Sequence, residues 1–181
     1  LHRRLMVPDN LRIELVMKGA LKMFEAKGSD VSEIFSQPRV AQEAALRDYD
    51  GVRLTPGWSL DLTREDPLTG EPWDLSKCAV RERVRKLVRE TAPFLVIGSP
   101  PCTMFSTLQN LSKNKRNEVE FAKAMKVAKE HVKFCLEIYK IQMNAGRYFL
   151  HEHPNSASSW KMPEVVDMVA HADVDVVACD M

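Results

Sequence analysis

Apolar and polar residues alternate along the chain in blocks that predict strands and helices in turn. Five short segments have the length and composition of strands, and they cover residues 30–35, 58–62, 94–98, 147–150 and 174–181. Four other segments have the spacing or composition of helices, at residues 11–27, 41–46, 76–90 and 118–145. Strands that alternate with helices are typical of an α/β fold with a parallel sheet.

The segment from residue 94 to residue 150 reads as a strand, a helix and a second strand. Such a crossover is right-handed and makes the two strands parallel, so both end at the same edge of the sheet. The pattern therefore predicts a Rossmann-like, mainly parallel sheet flanked by helices. We expect residues 1–28 to form a helical extension and residues 29–181 to form this core, since no linker or internal repeat interrupts it.

A cysteine stands in the turn that follows the apolar run at residues 94–98. Pro100 and Pro101 end that strand and stiffen the turn, because proline fixes its own φ and cannot donate a ladder hydrogen bond. Cys102 comes next, and a thiol in a rigid turn at the carboxyl end of a strand is a candidate nucleophile. A small buried side chain near the core is the alternative, since free cysteines are usually buried and inert.

A carboxyl group follows the next apolar run. Glu152 comes just after residues 147–150, and the crossover brings the ends of both strands to one edge of the sheet. Ligands of open α/β sheets bind in the crevice at that edge. We therefore expect Cys102 and Glu152 to line one crevice.

The two residues and their surroundings resemble the cytosine-C5 DNA methyltransferases. The sequence Pro-Pro-Cys-x-x-Phe-Ser follows an apolar strand, and a glutamate comes at the end of the next one. The resemblance implies that Cys102 is the nucleophile, that Glu152 is the acid and that S-adenosylmethionine is the cofactor. The family has glutamine in the place of Thr103 and Glu-Asn-Val in the place of Glu152-His153-Pro154, and the form with proline is closer to its phage and mobile-element relatives.

The chemistry of that family explains these residue types. Attack of a thiolate on C6 of cytosine breaks the aromaticity of the ring and makes C5 nucleophilic, while a carboxylic acid at N3 stabilises the developing charge. C5 then takes the methyl group, and loss of the C5 proton expels the thiolate. The target base has to be flipped out of a duplex or taken from a single strand.

The resemblance also assigns residues to the cofactor, namely Phe35, Ser36, Asp61, Asp74 and Pro100. In a Rossmann-like sheet an acid at the position of Asp61 accepts hydrogen bonds from ribose hydroxyls. The family has Phe-x-Gly-x-Gly after its first strand, whereas Gln37 and Arg39 stand at the glycine positions here, which changes how closely the backbone approaches the cofactor. The alternative roles are a turn former for Asp61 and a helix N-cap for Asp74.

DNA is the expected partner, although the whole chain has no basic excess. Lys and Arg number 26 against 25 Asp and Glu, so a basic face has to be local. In the family the segment after the nucleophile closes over DNA, which assigns the DNA contacts to Ser106, Gln109, Lys113, Lys115 and Arg116. A solvated loop before the next helix is the alternative.

The remaining composition excludes several classes of protein. Four cysteines without a C-x-x-C pair indicate neither a zinc site nor a disulfide framework, which fits a reducing intracellular compartment. His151 and His153 stand two residues apart and are too few to indicate a metal site. No apolar stretch reaches membrane length and no secretory signal is recognisable, so we expect an intracellular protein without a metal or a membrane partner.

Two further hypotheses stand beside the methyltransferase. A catalytically inactive relic of the fold, acting as a nucleic-acid-binding or assembly module, is favoured by Gln37 and Arg39. A cysteine hydrolase with His151 or His153 as its base is the other hypothesis. The resemblance covers about residues 31–155 and the family's target-recognition region has no counterpart, so we expect a truncated catalytic core of a viral or mobile-element polyprotein.

Overall fold

Six strands form one sheet in the computed structural model, which describes residues 2–8, 29–47, 53–110 and 117–180. The strands are β1 His2–Pro8, β2 Val31–Ile34, β3 Pro56–Leu60, β4 Leu95–Gly98, β5 Tyr148–Pro154 and β6 Val174–Asp180. The α-helices are α1 Val40–Leu46, α2 Cys78–Thr91, α3 Glu118–Asn144 and α4 Pro163–Val169. Short 3-10 segments cover Thr103–Phe105, Thr107–Asn110 and Ser158–Lys161.

The strand order in the sheet is β3-β2-β4-β5-β1-β6. The first four strands in this order are parallel, whereas β1 is antiparallel to both β5 and β6. The long helix α3 connects β4 to β5, as the apolar pattern predicts. The expected α/β fold, with a four-stranded parallel sheet flanked by helices, is confirmed.

Helices cover both faces of the sheet, because strand side chains alternate between the faces. On one face Val31 and Ile97 pack with Ala41 and Ala44 of α1. The side chains on the other face form a larger core with α2, α3 and α4, which includes Ile34, Val96, Phe149, Val84, Val132 and Val165. The first face is thus covered by fewer helices than the second, and the candidate site lies on this first face.

Residues 2–8 form a strand of the sheet, which corrects the expectation of a helical extension over residues 1–28. Met6 pairs with His151 of β5 and with Val176 of β6, and its side chain is fully buried. Both partner strands lie far along the chain, so the local pattern does not contain the reason for this strand. The helix predicted at residues 11–27 lies outside the described residues.

Strand β5 continues to Pro154, although its apolar run ends at residue 150. Its last four residues, 151–154, pair with β1. Glu152 therefore belongs to a strand and does not follow one. This fixes the direction of its side chain, which shares the α1 face of the sheet with Leu150, two residues earlier.

We expect Ala92→Gly to stabilise the chain by about 0.5–1 kcal/mol. Ala92 follows α2 with φ 43°, and its N–H donates to the carbonyl of Val88 at 3.1 Å. Glycine adopts this left-handed conformation without the steric cost that a Cβ imposes. Urea unfolding measures the change, and Ala145→Gly is the matched control, because Ala145 follows α3 with φ −103°. An unfolding midpoint that falls with Ala92→Gly would contradict the expectation.

Candidate active site at the carboxyl edge of the sheet

A cavity of about 560 Å³ opens at the carboxyl ends of β2, β3, β4 and β5. Its floor includes Ile97 and Leu150 on the α1 face of the sheet. Six of the predicted site residues line it, namely Phe35, Ser36, Asp61, Pro100, Cys102 and Glu152. The thiol and the carboxyl thus share one crevice, as the crossover pattern predicts, while their chemical roles stay predictions.

The turn that carries Cys102 is stabilised by contacts with β5, with the segment that follows β5 and with its own buried residues. Nε2 of His153 donates to the carbonyl of Pro100 at 3.1 Å. Phe105 is buried with its ring edge-on to the same imidazole, and its carbonyl accepts a hydrogen bond from Ser158 at 3.3 Å. Cys102 itself is half-buried in the cavity wall. The backbone around the thiol is therefore fixed, while the thiol faces the cavity.

His151 and His153 are both buried and both have protein partners. In the neutral ring of His153, Nε2 donates to Pro100 and Nδ1 accepts from the hydroxyl of Ser159 at 2.5 Å. Nδ1 of His151 shares a 2.9 Å hydrogen bond with the hydroxyl of Tyr139, and burial lowers the pKa of His151 to about 3. Neither ring is arranged as a base for the thiol. In the part of the chain that the structure describes, no three His, Cys, Asp or Glu side chains are grouped as metal ligands.

Asp61 and Asp74 form the same kind of turn, but of the two only Asp61 lines the cavity. Asp61 accepts hydrogen bonds from the N–H and the hydroxyl of Thr63, at 2.9 and 2.6 Å, and this turn ends β3 two residues earlier than predicted. Asp74 accepts in the same way from Ser76, which lowers the pKa of its carboxyl. The cavity thus does not include the cofactor contact predicted for Asp74. The alternative role of Asp74 as the N-cap of α2 is wrong, since that N-cap is Lys77, whereas the contact of Asp74 with a cofactor stays a prediction.

The residues predicted to contact DNA fall into two groups. Two of them are described and do not line the cavity, and the other three lie outside the described residues. Ser106 lies between the two 3-10 segments that follow Cys102. Gln109 belongs to the second segment, and its Nε2 donates to the carbonyl of Thr103 at 3.1 Å, which stabilises the turn of the candidate nucleophile. The basic residues of this prediction are outside the described residues: Lys113, Lys115 and Arg116.

Glu33 is a cavity residue that sequence reasoning did not identify. Its buried carboxyl accepts the N–H of Ala41 at 2.9 Å, in the first turn of α1, and the hydroxyl of Ser36 at 3.0 Å. It thereby satisfies one of the backbone donors that lack an intrahelical partner at the start of a helix. An acidic residue inside a segment predicted to be a buried strand was the signal that could have found it.

The turn after β2 carries long side chains where the methyltransferases have glycines. Nε2 of Gln37 donates to the hydroxyl of Thr63 at 3.0 Å, which connects this turn to the one after β3. Arg39 also lines the cavity. Phe35 adopts φ 59°, a conformation uncommon for a residue other than glycine, and its ring lies 4.8 Å from the ring of His131 on α3. The turn is therefore held by side-chain contacts on both sides.

Acidic groups dominate the charged lining of the cavity. Among the described residues that line the cavity, Glu33, Asp61 and Glu152 are acidic, and Arg39 is the only one with a cationic side chain. Carboxylates accept hydrogen bonds from hydroxyls and attract positive charge. The cavity is thus suited to a ligand that brings hydroxyl donors or a positive group.

Comparisons with protein-family models, with curated proteins and with solved structures gave no match for this chain. Among the described residues, no helix combines the length and the apolar content that a membrane crossing needs.

Proposed function

We propose that the chain transfers a methyl group from S-adenosylmethionine to C5 of cytosine in DNA. The observation that carries the proposal is that Cys102 and Glu152, from the ends of two neighbouring parallel strands, line one cavity. A nucleophile and an acid that act on the same base have to face the same space, and these two residues meet that requirement. The parallel, helix-flanked sheet agrees with a methyltransferase-like fold.

The lining of the cavity favours S-adenosylmethionine over a cofactor that carries phosphate. Dinucleotide-binding sheets hold pyrophosphate at the start of the helix after the first strand. In this chain Glu33 already accepts the N–H of Ala41 at that point, and its charge repels phosphate. S-adenosylmethionine has no phosphate, carries a positive sulfonium and a positive ammonium group, and supplies an electrophilic methyl group when it is bound.

The remaining contacts of the cofactor follow from what lines the cavity. We assign its ribose hydroxyls to Asp61, whose carboxylate still has acceptor capacity beside the two hydrogen bonds from Thr63. Phe35, Ser36 and Pro100 complete the surface around it. Gln37 and Arg39 also occupy part of this space, so we expect weaker binding than a glycine-containing turn allows.

Cys102 and Glu152 act on the cytosine base in a fixed order of steps. The thiolate of Cys102 forms a bond to C6, and the electrons of the C5–C6 double bond make C5 nucleophilic. Glu152 donates a proton to N3 as negative charge develops there. After C5 has gained its methyl group, the C5 proton is lost to water, the C5–C6 double bond re-forms as the bond between Cys102 and C6 breaks, and N3 returns its proton to Glu152.

The competing functions differ in how well the site supports them. A hydrolase needs a base beside the thiol, and the Nδ1 and Nε2 atoms of His153 are already bound to Ser159 and Pro100. An inactive relic that binds nucleic acid remains the second candidate, and the observation that favours it is the presence of Gln37 and Arg39 in the cavity.

Calorimetric titration with S-adenosylmethionine tests the proposal. We expect Asp61→Asn to weaken binding about tenfold, because a charge-assisted hydrogen bond to a ribose hydroxyl becomes a neutral one. Asparagine keeps the acceptor oxygen that holds Thr63, so the turn itself is preserved. Radiolabelled methyl transfer to DNA then follows the reaction in the same preparation.

Asp74→Asn is the matched control for this titration. Asp74 makes the same hydrogen bonds to Ser76 that Asp61 makes to Thr63, but it does not line the cavity. Its substitution should leave the affinity unchanged. Equal effects of the two substitutions would show that the cofactor site is elsewhere, and absence of any binding would favour the relic.

A further inference from the structure

A second recess of about 530 Å³ lies between the helices α2 and α3, outside the candidate active site. Its lining includes Arg81 from the first turn of α2, together with Lys123 and Lys126 from the amino-terminal third of α3. Val127 adds an apolar surface between these cations, and Glu130 is the acidic residue of the lining. We call this recess the basic groove.

Most cations elsewhere on α2 and α3 are paired with carboxylates. Arg85 binds Glu137, Arg83 contacts Asp66 at 2.8 Å, and Lys133 contacts Glu164 at 2.9 Å. These pairs bring positive and negative groups together in equal numbers. They present little net charge to a ligand.

The cations of the basic groove are different. Lys123 and Lys126 are exposed and form no ion pair within the described part of the chain. The guanidinium of Arg81 donates to the carbonyls of Leu75 and Ser76, at 3.1 Å each, and no ion pair holds it among the described residues, although its positive charge, after the hydrogen bond from Arg85, helps to lower the pKa of the Glu137 carboxyl. Among the described residues of the lining, three positive groups therefore face one carboxylate, that of Glu130.

His131 connects the groove to the active-site cavity without adding charge. Burial, and then the positive charge of Arg81, lower the pKa of His131, so the ring is neutral at neutral pH. The same ring packs against Phe35, which lines the cavity. The ring of His131 is thus near both Arg81 of the basic groove and Phe35 of the cavity lining.

We propose that the basic groove binds the phosphodiester backbone of a nucleic acid. Phosphates are multiply repeated anions, and clustered lysine and arginine side chains bind them without reading base sequence. Lys123 and Lys126 are three residues apart on α3, so they lie on one face and can contact one strand together. The proposal does not rest on methyl transfer, because the groove holds the backbone whether or not Cys102 reacts.

Fluorescence anisotropy with labelled DNA and RNA duplexes of one sequence, titrated at several salt concentrations, tests this proposal. The double variant K123Q/K126Q should bind more weakly, and the slope of log K against log salt should lose about 2 in magnitude. The control is K86Q/K140Q, which removes the same charge from exposed positions nearer the other ends of α2 and α3. It should keep the slope of the unchanged chain.

The arms of this experiment separate the possible results. Loss of slope with either duplex supports the groove, and the duplex bound more tightly identifies the nucleic acid. Equal slopes for the two double variants, or no binding of either duplex at low salt, would overturn the proposal. The assay contains no S-adenosylmethionine, so its failure leaves the proposed methyl transfer to its own test.

Discussion

Replacement of Cys102 by serine is expected to abolish the covalent complex between the chain and a DNA duplex that contains 5-fluorocytosine. Fluorine at C5 cannot leave as a proton does, so the bond between the sulfur and C6 persists once the methyl group has been transferred. A serine hydroxyl is far less acidic than a thiol and forms no comparable nucleophile without a base. Denaturing electrophoresis in the presence of S-adenosylmethionine, followed by mass spectrometry of the adduct, measures the result.

Two other cysteines matter for this experiment, Cys78 as a control and Cys135 as a thiol that could compete. Cys78→Ser should leave the adduct unchanged, because Cys78 is exposed at the first position of α2 and does not line the cavity. Cys135 is no competing nucleophile, since burial raises the pKa of its thiol to about 12. Glu152→Gln should slow adduct formation, because an amide does not protonate N3. An adduct that survives Cys102→Ser would remove the central assignment of the site.

We expect Gly98→Ala to destabilise the chain by about 3 kcal/mol. A Cβ at this position, the last of β4, would overlap the hydroxyl of Tyr139 and approach the sulfur of Cys135 to 3.2 Å. Tyr139 has no room to move, because it is fully buried, stacked on Phe149 at 4.4 Å and hydrogen-bonded to His151. The substitution therefore overpacks the core and breaks a buried hydrogen bond together. Urea unfolding monitored by circular dichroism measures the loss.

A double-mutant cycle with Tyr139→Phe assigns this loss to its cause. Removal of the hydroxyl makes space for the new Cβ, so Gly98→Ala should cost less in the Tyr139→Phe background than in the unchanged chain. Tyr139→Phe alone removes the hydrogen bond to His151 and gives the reference value. Additive effects of the two substitutions would show that the contact with the tyrosine hydroxyl is not the cause.

The local apolar pattern predicted the part of the fold in which consecutive strands and helices along the chain pack against each other. The apolar spacing of α3 and the apolar runs on either side of it predict the crossover, and the crossover brings Cys102 and Glu152 to one cavity. The strand at residues 2–8 could not be found in this way. Its pairing depends on β5 and β6, which lie about 150 residues further along the chain.

The candidate site shows the same limit at the level of single residues. Asp61-x-Thr63 and Asp74-x-Ser76 are equivalent patterns in the sequence and form equivalent turns, yet one lines the cavity and the other does not. Only the packing of the strands separates them. Glu33 was missed for the related reason that its partner, the N–H of Ala41, becomes a neighbour when α1 folds back over β2.

The position of β1 between β5 and β6 has a consequence for the order in which the sheet assembles during synthesis. Arg3 pairs with Pro154, so β1 leaves the ribosome about 150 residues before its first partner. At about 5–20 residues per second, that interval is roughly 8–30 s. The parallel strands β2, β3 and β4 can pair during this time, whereas the antiparallel edge has to wait. Of the six strands described, the one that is made first is thus among the last to be incorporated into the sheet.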